Sequence, residues 1–539
     1  MLKNKKYIIR FISVFLSFFY LLLGEQDFSF RNISVKDGLS ESTIKVILED
    51  KKGLLYFGTE NGLDIYNGYE FKNFQMDSFN DSSMLGNKVS YLYEDSKGMI
   101  WIGTELGISK YDPAFNEFSR PIKIDSSITH DENGKQIRSL KPNYIVEDKN
   151  GDIWFNLING YLFHYSISSD ITTHLTKYDT TGLHPFNEID HVDIIFKDKD
   201  NILWFVTRTI KEYDKIKGPI NNYALYQTSD GINGIKPYML NGSIFDYSVN
   251  IIKNGEDNVL WIGTDKGLFE LTDGLNGKVN IYKKTSKKNS IISDNVKYID
   301  WDNARKKLWI ATNDGISCYI PSENNFYNLQ VGPYANSIIE NDIKELLIAE
   351  KSGMLWYTTE NFDGFNCLSI TADTSIGYQD TSIMNIVHDP VDPTSIADND
   401  INTFIEDRSG HIWIGTAGNG VSFYSFYKPK FSHWQYDQDN EWSIKNNKVY
   451  SITPDPYGMV WAATGHGLEL LSNDGLRDLD FELSALDINN IMDIELAGDR
   501  YLWIASEKGV LRLDIQSDDL NKPEINEVFN MDIAYDLML

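Results

Sequence analysis

An aromatic residue inside a short apolar run returns ten times along this chain, as Tyr56, Trp101, Trp154, Trp204, Trp261, Trp309, Trp356, Trp413, Trp461 and Trp503. The steps between them run from 42 to 57 residues. The surroundings return as well. Around Trp101 they are Glu94-Asp95-Ser96-Lys97-Gly98-Met99-Ile100-Trp101-Ile102-Gly103-Thr104, followed by Gly107-Ile108-Ser109-Lys110-Tyr111. This reads as strand, tight turn, strand, glycine turn, strand. A period of this size built from short strands predicts the blades of a propeller.

The residue types fit that architecture. In Asp-x-x-Gly the Asp side chain accepts from backbone N–H groups further along the turn, and the Gly takes the positive φ that closes it. In Trp-Ile-Gly-Thr both faces of the strand carry apolar or small residues. A strand covered on both sides by neighbouring blades needs that pattern. The Trp is a large apolar plate, and the Gly admits a close neighbour. All these roles belong to the fold. Aromatic residues make up 13% of the chain, which suits β-structure.

Charge and cysteine usage narrow the function classes. With 78 acidic against 50 basic residues the net charge is −28, which disfavours non-specific nucleic-acid binding. The two cysteines, Cys318 and Cys367, each follow a repeat glycine by three residues. They therefore sit at equivalent places on successive blades and are expected as buried small hydrophobes, not as a bridge. Lys3, Lys5, Lys6 and Arg10 precede an uncharged run from Phe11 to Leu23. Residues 1–26 read as an export signal, with an uncleaved anchor as the alternative.

Taken in order, Phe28 to Asn32 reads as an outer strand without a blade of its own, placed to close a ring by pairing with a late blade. Each repeat then supplies four antiparallel strands. Fourth strands are expected at Tyr69 to Phe74, Glu117-Phe118, Thr172 to Leu175, Tyr223 to Tyr226, Val279 to Tyr282 and Phe326 to Leu329, with one more around Val528-Phe529. Several connectors carry Ser, an apolar residue and a later Asn, as in Ser290-Ile291 before Asn295, Ser395-Ile396 before Asn399 and Ser443-Ile444 before Asn447. The long connector 371–397 suggests a domain boundary. The expected architecture is all-β: tandem β-propellers of four-stranded antiparallel blades, a seven-bladed first ring over 27–397 and an incomplete second ring of three to four blades over 398–539. A three-blade arc would leave raw sheet edges and one uncovered apolar face.

The run Asp37-Gly38-Leu39-Ser40 with Glu49-Asp50-x-x-Gly53-Leu54-Leu55-Tyr56-Phe57-Gly58-Thr59-x-x-Gly62-Leu63, and its copies, resembles the two-component regulator propeller repeat. That repeat builds the periplasmic sensor of hybrid two-component systems in Bacteroides-type bacteria. The resemblance implies seven-bladed rings in tandem, then a β-sandwich, a membrane helix, a histidine kinase and a response regulator. It implies an oligosaccharide ligand and no cofactor. The sandwich, helix, kinase and receiver have no counterpart in these 539 residues, so a truncated sensor or one that needs a partner is expected. That partner is a second copy or a kinase-bearing chain. Membrane attachment would come only through an uncleaved N-terminal segment or a C-terminal helix beyond this chain.

Ligands of propellers meet the loops at one end of the ring, which vary without disturbing the blades. The loops from second to third strand carry Glu60, Glu105, Asn156, Asn159, Arg208, Asp265, Asn313 and Glu360, a ring of hydrogen-bonding groups suited to sugar hydroxyls. Each is also acceptable as an ordinary turn residue. Arg208 stands out because it follows Val206-Thr207 where other repeats keep Gly-Thr. Trp434, Tyr436 and Trp442 lie outside the repeat motif and suit either sugar stacking or an outer-strand core. No zinc pattern, P-loop, G-x-S-x-G or EF-hand loop is present, and the nine histidines show no metal spacing. Asp198-Lys199-Asp200-Asn201 reads as a solvated turn. The expected function is a non-catalytic, exported sensor region. The alternatives are a stand-alone glycan- or protein-binding propeller, and a lyase or glycosidase using Glu60, Glu105 or Glu360.

Overall fold

A computed structural model describes residues 28–122, 140–176, 191–214, 218–240, 243–272, 278–332, 337–370, 383–426, 434–438, 442–456, 459–472, 475–477, 491–507, 509–515 and 525–529. The expected export signal lies outside these residues. The chain divides into two compact units, Met1–Phe426 and Tyr427–Leu539. Among the described residues there is no α-helix; two short 3-10 turns, Val35–Asp37 and Gly231–Gly234, accompany the strands.

Each repeat turn is built around its aspartate. Asp95 Oδ1 accepts the N–H groups of Lys97 and Met99, both at 2.9 Å, and Gly98 takes φ 78°. The other oxygen, Oδ2, accepts the Trp101 indole N–H at 2.9 Å. Asp148, Asp198 and Asp407 hold Trp154, Trp204 and Trp413 at 3.0, 2.8 and 2.8 Å, and Asp50 accepts the Tyr56 hydroxyl at 3.1 Å. The six-residue spacing from Asp to Trp thus follows from one carboxylate closing the turn and satisfying a buried donor. Asp198 is one of these structural aspartates and sits in a turn, as expected. The fifth to seventh blades place Gly255, Asn303 and Glu350 at that position. There the Nε1 atoms of Trp261, Trp309 and Trp356 have no partner.

The glutamate before the aspartate joins blades. Glu94 accepts from Lys51 N–H (3.0 Å), Glu147 from Ser96 N–H and Oγ (2.8 and 2.7 Å), and Glu406 from Glu350 N–H (3.0 Å). Each bond runs from the turn of one blade to the inner strand of the next. The strand glycine has the expected role. A Cβ on Gly58 would lie 2.6 Å from Val46 Cγ1 and 2.7 Å from Val89 Cγ1 of the following blade. The connectors are built turns. Asn399 Oδ1 accepts His388 N–H at 2.7 Å, the Ser395 hydroxyl bridges both ends of its loop, and Ile396 plugs the core.

The first unit contains eight four-stranded antiparallel sheets, where a ring of seven is expected. Apolar clusters fill the interface between every successive pair of sheets. An eighth cluster closes the cycle, packing Trp413 and Val421 against Ile44, Ile47 and Phe57 of the first sheet. The boundary expected at residue 397 therefore lies after Phe426. The reason is strand supply. The Trp413 sheet has only Ile401–Glu406, Ile412–Thr416 and Val421–Tyr424 from its own repeat, and the N-terminal strand Phe30–Ile33 adds the fourth. Phe30 pairs with Tyr424 and Ile33 with Val421. The closing role foreseen for Phe28 to Asn32 is thus filled at the eighth blade.

The fourth blade departs from the template. Its second and third strands, Leu203–Asp214 and Gly218–Thr228, are 12 and 11 residues long, and the fourth strand is only Lys236–Pro237. The segment Tyr223 to Tyr226, expected as a fourth strand, lies in the third. No glycine turn follows Thr207, and the pairing of the two strands runs on from Arg208 with Tyr223 to Asp214 with Gly218, so the hairpin extends instead of turning. Cys318 and Cys367 are buried and unbridged.

The second unit holds two sheets among its described residues, not three to four. They are Val449–Pro454, Val460–Thr464, Gly467–Ser472 and Gly475–Arg477, then Ile491–Ala497, Tyr501–Ser506, Gly509–Asp514 and Ile525–Phe529. Apolar residues from Trp461 to Ile515 pack between them. Val449 and Ile452 are 46% and 65% exposed, whereas the matching Ile44 and Ile47 of the first blade are 0% and 5%. Trp434 packs on Ile444, Ala462 and Leu471, while Tyr436 and Trp442 are exposed.

Candidate functional site

The innermost strand of every blade in the first unit carries an extra residue near its start, at the third position in the fourth blade and the second in the others. The register slips there between Ile44 and Val46, and at the matching place in the other seven blades. A β-bulge bends its strand and re-aims the unpaired side chain. The residues so placed are Lys45, Ser90, Asn143, Asp193, Asn250, Lys297, Lys344 and Asn402. They lie at the same end of the blades as the loops from second to third strand. Lys45 Nζ is 3.5 Å from Glu60, Asp193 pairs with Arg208, and Lys297 Nζ is 2.7 Å from Glu360. The inner strands thus end in a mouth of alternating charge and amide groups.

Three of the residues singled out from sequence converge on one stretch of the fourth blade. Arg208 forks onto Asp193, with Nε to Oδ2 and Nη2 to Oδ1 both 3.1 Å. Asn156 is fully buried; it accepts Tyr144 N–H at 3.0 Å and donates to Val192 O at 2.6 Å. It is a staple between the third and fourth blades and replaces the glycine of other repeats. The backbone carbonyl of Asn159 meets His191 Nδ1 at 2.7 Å. Arg208 lies in a strand opposite His191, not in a loop.

The other five are spread round the ring. Glu60 pairs with Lys45 and Lys88, the latter at 3.2 Å; burial pushes its carboxyl up, but the two lysines outweigh this and hold it below the ordinary range. Glu105 accepts Lys88 N–H at 2.9 Å, and Asn313 accepts the Ser293 hydroxyl at 2.6 Å. The Asp265 N–H donates to Ser248 O at 3.1 Å. Glu360 shares Lys297 with Asp342, both at 2.7 Å; burial lowers the lysine pKa, but the two carboxylates raise it overall. The Glu60–Lys88 pair and the pairs of Lys297 with Glu360 and Asp342 cross from blade to blade, and the other contacts lie within one repeat. Together they present a pre-arranged set of donors and acceptors. A general acid needs a raised pKa, and Glu60 is shifted the other way.

Sequence inspection missed a charged arc on the inner strands. Lys253 Nζ lies 3.7 Å from Asp300 Oδ1 and 5.2 Å from the Tyr298 ring centroid, and Asp300 Oδ2 accepts Ile348 N–H at 3.1 Å. Burial pushes the Asp300 and Glu345 carboxyls up; for Lys253 it acts downward, but Tyr298 and Asp300 raise the pKa overall. Positions 253 and 300 face the repeat Trp, where the other blades of this unit place Leu48, Tyr93, Val146, Phe196, Leu347 and Ile405. A charge at a position otherwise apolar or aromatic was the available signal. Two adjoining clefts of about 520 and 570 Å³ lie elsewhere, at the outer edge between the fifth and sixth blades, against Lys287, Ser290 and Phe326.

Residues 83–105 and 395–418 match the family model of the two component regulator propeller. Among curated proteins none matches. Among solved structures, the chain is similar to the extracellular domain of the hybrid two component system BT3049 from B. thetaiotaomicron. The identity is 17% over 93% of this chain and 73% of that one, with a TM-score of 0.39. It is similar to the extracellular domain of the hybrid two component system BT4673 of the same organism, at 16% identity over 94% of this chain and 78% of that one, TM-score 0.28. Virginiamycin B lyase from Staphylococcus aureus aligns at 15% identity over 62% of this chain and 97% of that one, TM-score 0.37. Among the described residues no helix is long and apolar enough to cross a membrane.

Proposed function

We propose that this regulator propeller is the exported, ligand-sensing region of a two-component sensor, and that it takes an oligosaccharide at the mouth of the eight-bladed unit. One observation carries the reading. The residues that recur from blade to blade are consumed by the fold: Asp seals the turn and the Trp, Glu joins the next blade, and Gly admits its neighbour. The bulged mouth is lined by positions that differ from blade to blade, from Lys45 and Ser90 to Asp193 and Asn402. A sugar, with many hydroxyls and no fixed charge, is matched by such a ring of amides and paired ions.

The mechanism is non-catalytic. A ligand that binds two arrangements of the protein unequally shifts their population, and a kinase elsewhere in the system reads the shift. The partner is a second copy or a kinase-bearing chain, and the site of action is the periplasm. A thermal-shift screen of oligosaccharides followed by calorimetry tests this. Arg208→Ala and Lys297→Ala should each weaken a true hit by about tenfold, or about 1.4 kcal/mol. Hits indifferent to both substitutions would place the site elsewhere. Cleavage of a polysaccharide that stops in Glu60→Gln, Glu105→Gln or Glu360→Gln would favour the lyase or glycosidase alternative.

A further inference from the structure

We propose that Asp148, Asp152 and His164 of the third blade form a site for a divalent metal of the zinc type. Their ligand atoms all lie within 4.8 Å of one another. His164 Nε2 and Asp152 Oδ2 are 3.4 Å apart. That is long for a well-formed N–H···O bond, whose range is about 2.7–3.2 Å. It matches the edge of about 3.3 Å between two ligands of a tetrahedral ion with bonds of about 2.0–2.1 Å. His164 and Asp148 are 7% and 6% exposed, so the group is enclosed on the side of the blade core.

The cluster is positioned by bonds that leave it ligand atoms to spare. Ile167 N–H donates to Asp152 Oδ1 at 2.9 Å, which turns Oδ2 toward His164. The His164 ring stands edge-on to Trp154, with centroids 4.7 Å apart. Asp148 Oδ2 accepts the Trp154 indole at 3.0 Å and keeps its second lone pair. Among the described residues, no Lys or Arg pairs with either carboxylate.

The repeat supplies the comparison that a single site lacks. The position of Asp152 is Leu54, Met99 and Ile202 in the first, second and fourth blades and His411 in the eighth, and that of His164 is Ile65 in the first, Glu270, Cys318 and Cys367 in the fifth to seventh, and Phe423 in the eighth. The first blade therefore forms without a ligating group at either place, and the third blade has one at both, facing each other. This site lies at the turn end of the blade, opposite the bulged mouth. A metal there ties the third strand to the turn, with three protein ligands and a fourth place for water.

The untagged chain, stripped with a chelator, is titrated with Zn2+ and Co2+. The proposal expects one equivalent of Co2+ with tetrahedral d–d absorption and a rise in Tm with Zn2+. Asp152→Met and His164→Phe install residues that the second and eighth blades already use. Both should keep the Tm of the metal-free protein and lose the absorption and the metal-induced rise. Should either fail to fold, Asp152→Asn, which keeps the bond from Ile167, should weaken Zn2+ by about tenfold or more. Absence of both signals in the wild-type chain would overturn the proposal, as would their survival in the substituted chains.

Discussion

Arg408 of the eighth blade and Glu49 of the first lock the ring: the Arg408 N–H donates to Glu49 Oε2 at 2.8 Å and its Nε lies 3.1 Å from Oε1. The guanidinium also donates to the carbonyls of Asp50 and Lys51, both at 2.6 Å. Glu49 plays here the part that Glu94, Glu147 and Glu406 play elsewhere, across the one interface where the chain ends of the ring meet. Glu49→Ala should cost about 1–2 kcal/mol, because a backbone donor loses its partner. Removing residues 28–34 should cost far more, since it deprives the eighth sheet of a strand. Urea unfolding of the two variants compares them.

The carboxylate of Asp95 serves three donors, so its isosteric amide separates them. Asp95→Asn keeps an oxygen for the turn but sets an NH2 group against the Trp101 indole N–H. It should cost about 1–2 kcal/mol, and Asp95→Ala about 2–3 kcal/mol. Equal losses in chemical denaturation would mean that the turn bonds kept by Asn contribute nothing, and an unchanged Asp95→Asn would mean the same of the indole bond.

Gly58→Ala drives a methyl into Val46 and Val89 at once. Because both contacts belong to inner strands, one from the next blade, the loss should be about 1–3 kcal/mol. A melting temperature equal to that of wild type would show that the inner strands shift freely.

Glu345 links packing to pH. Burial raises its carboxyl pKa; Lys344 and Lys253 oppose this and Asp300 adds to it, with Tyr298 in contact. The folded protein therefore holds this proton to higher pH than the unfolded chain does. Stability is lost as pH rises from the unfolded to the folded pKa. Glu345→Gln should then be more stable than wild type at neutral pH, and the gain should shrink as the wild-type carboxyl takes up its proton in acid. Melting temperatures at a series of pH values decide it, and a gain independent of pH would contradict the assignment.

The strands, the turns and their order were legible in the chain because they depend on local chemistry repeated ten times. Asp-x-x-Gly closes a turn wherever it occurs, and an unbroken run of apolar or small residues makes a strand that needs cover on both faces. The candidate loop residues were legible only as positions. Asn156 read as a surface amide because nothing in the sequence tells that a neighbouring blade buries it. Arg208 read as a loop residue because the extended hairpin shows only after pairing.

The sequence by itself determined the blade, its Trp plate and its turn, since each is settled within about fifty residues by hydrogen bonds and burial close in the chain. Tertiary structure alone decided that eight blades close the first ring. Closure depends on the contact of Phe30–Ile33 with Val421–Tyr424 and on the packing of Trp413 against the first sheet. Those partners are nearly 400 residues apart, and the sum of many small wedge angles, which no local pattern encodes, brings them together.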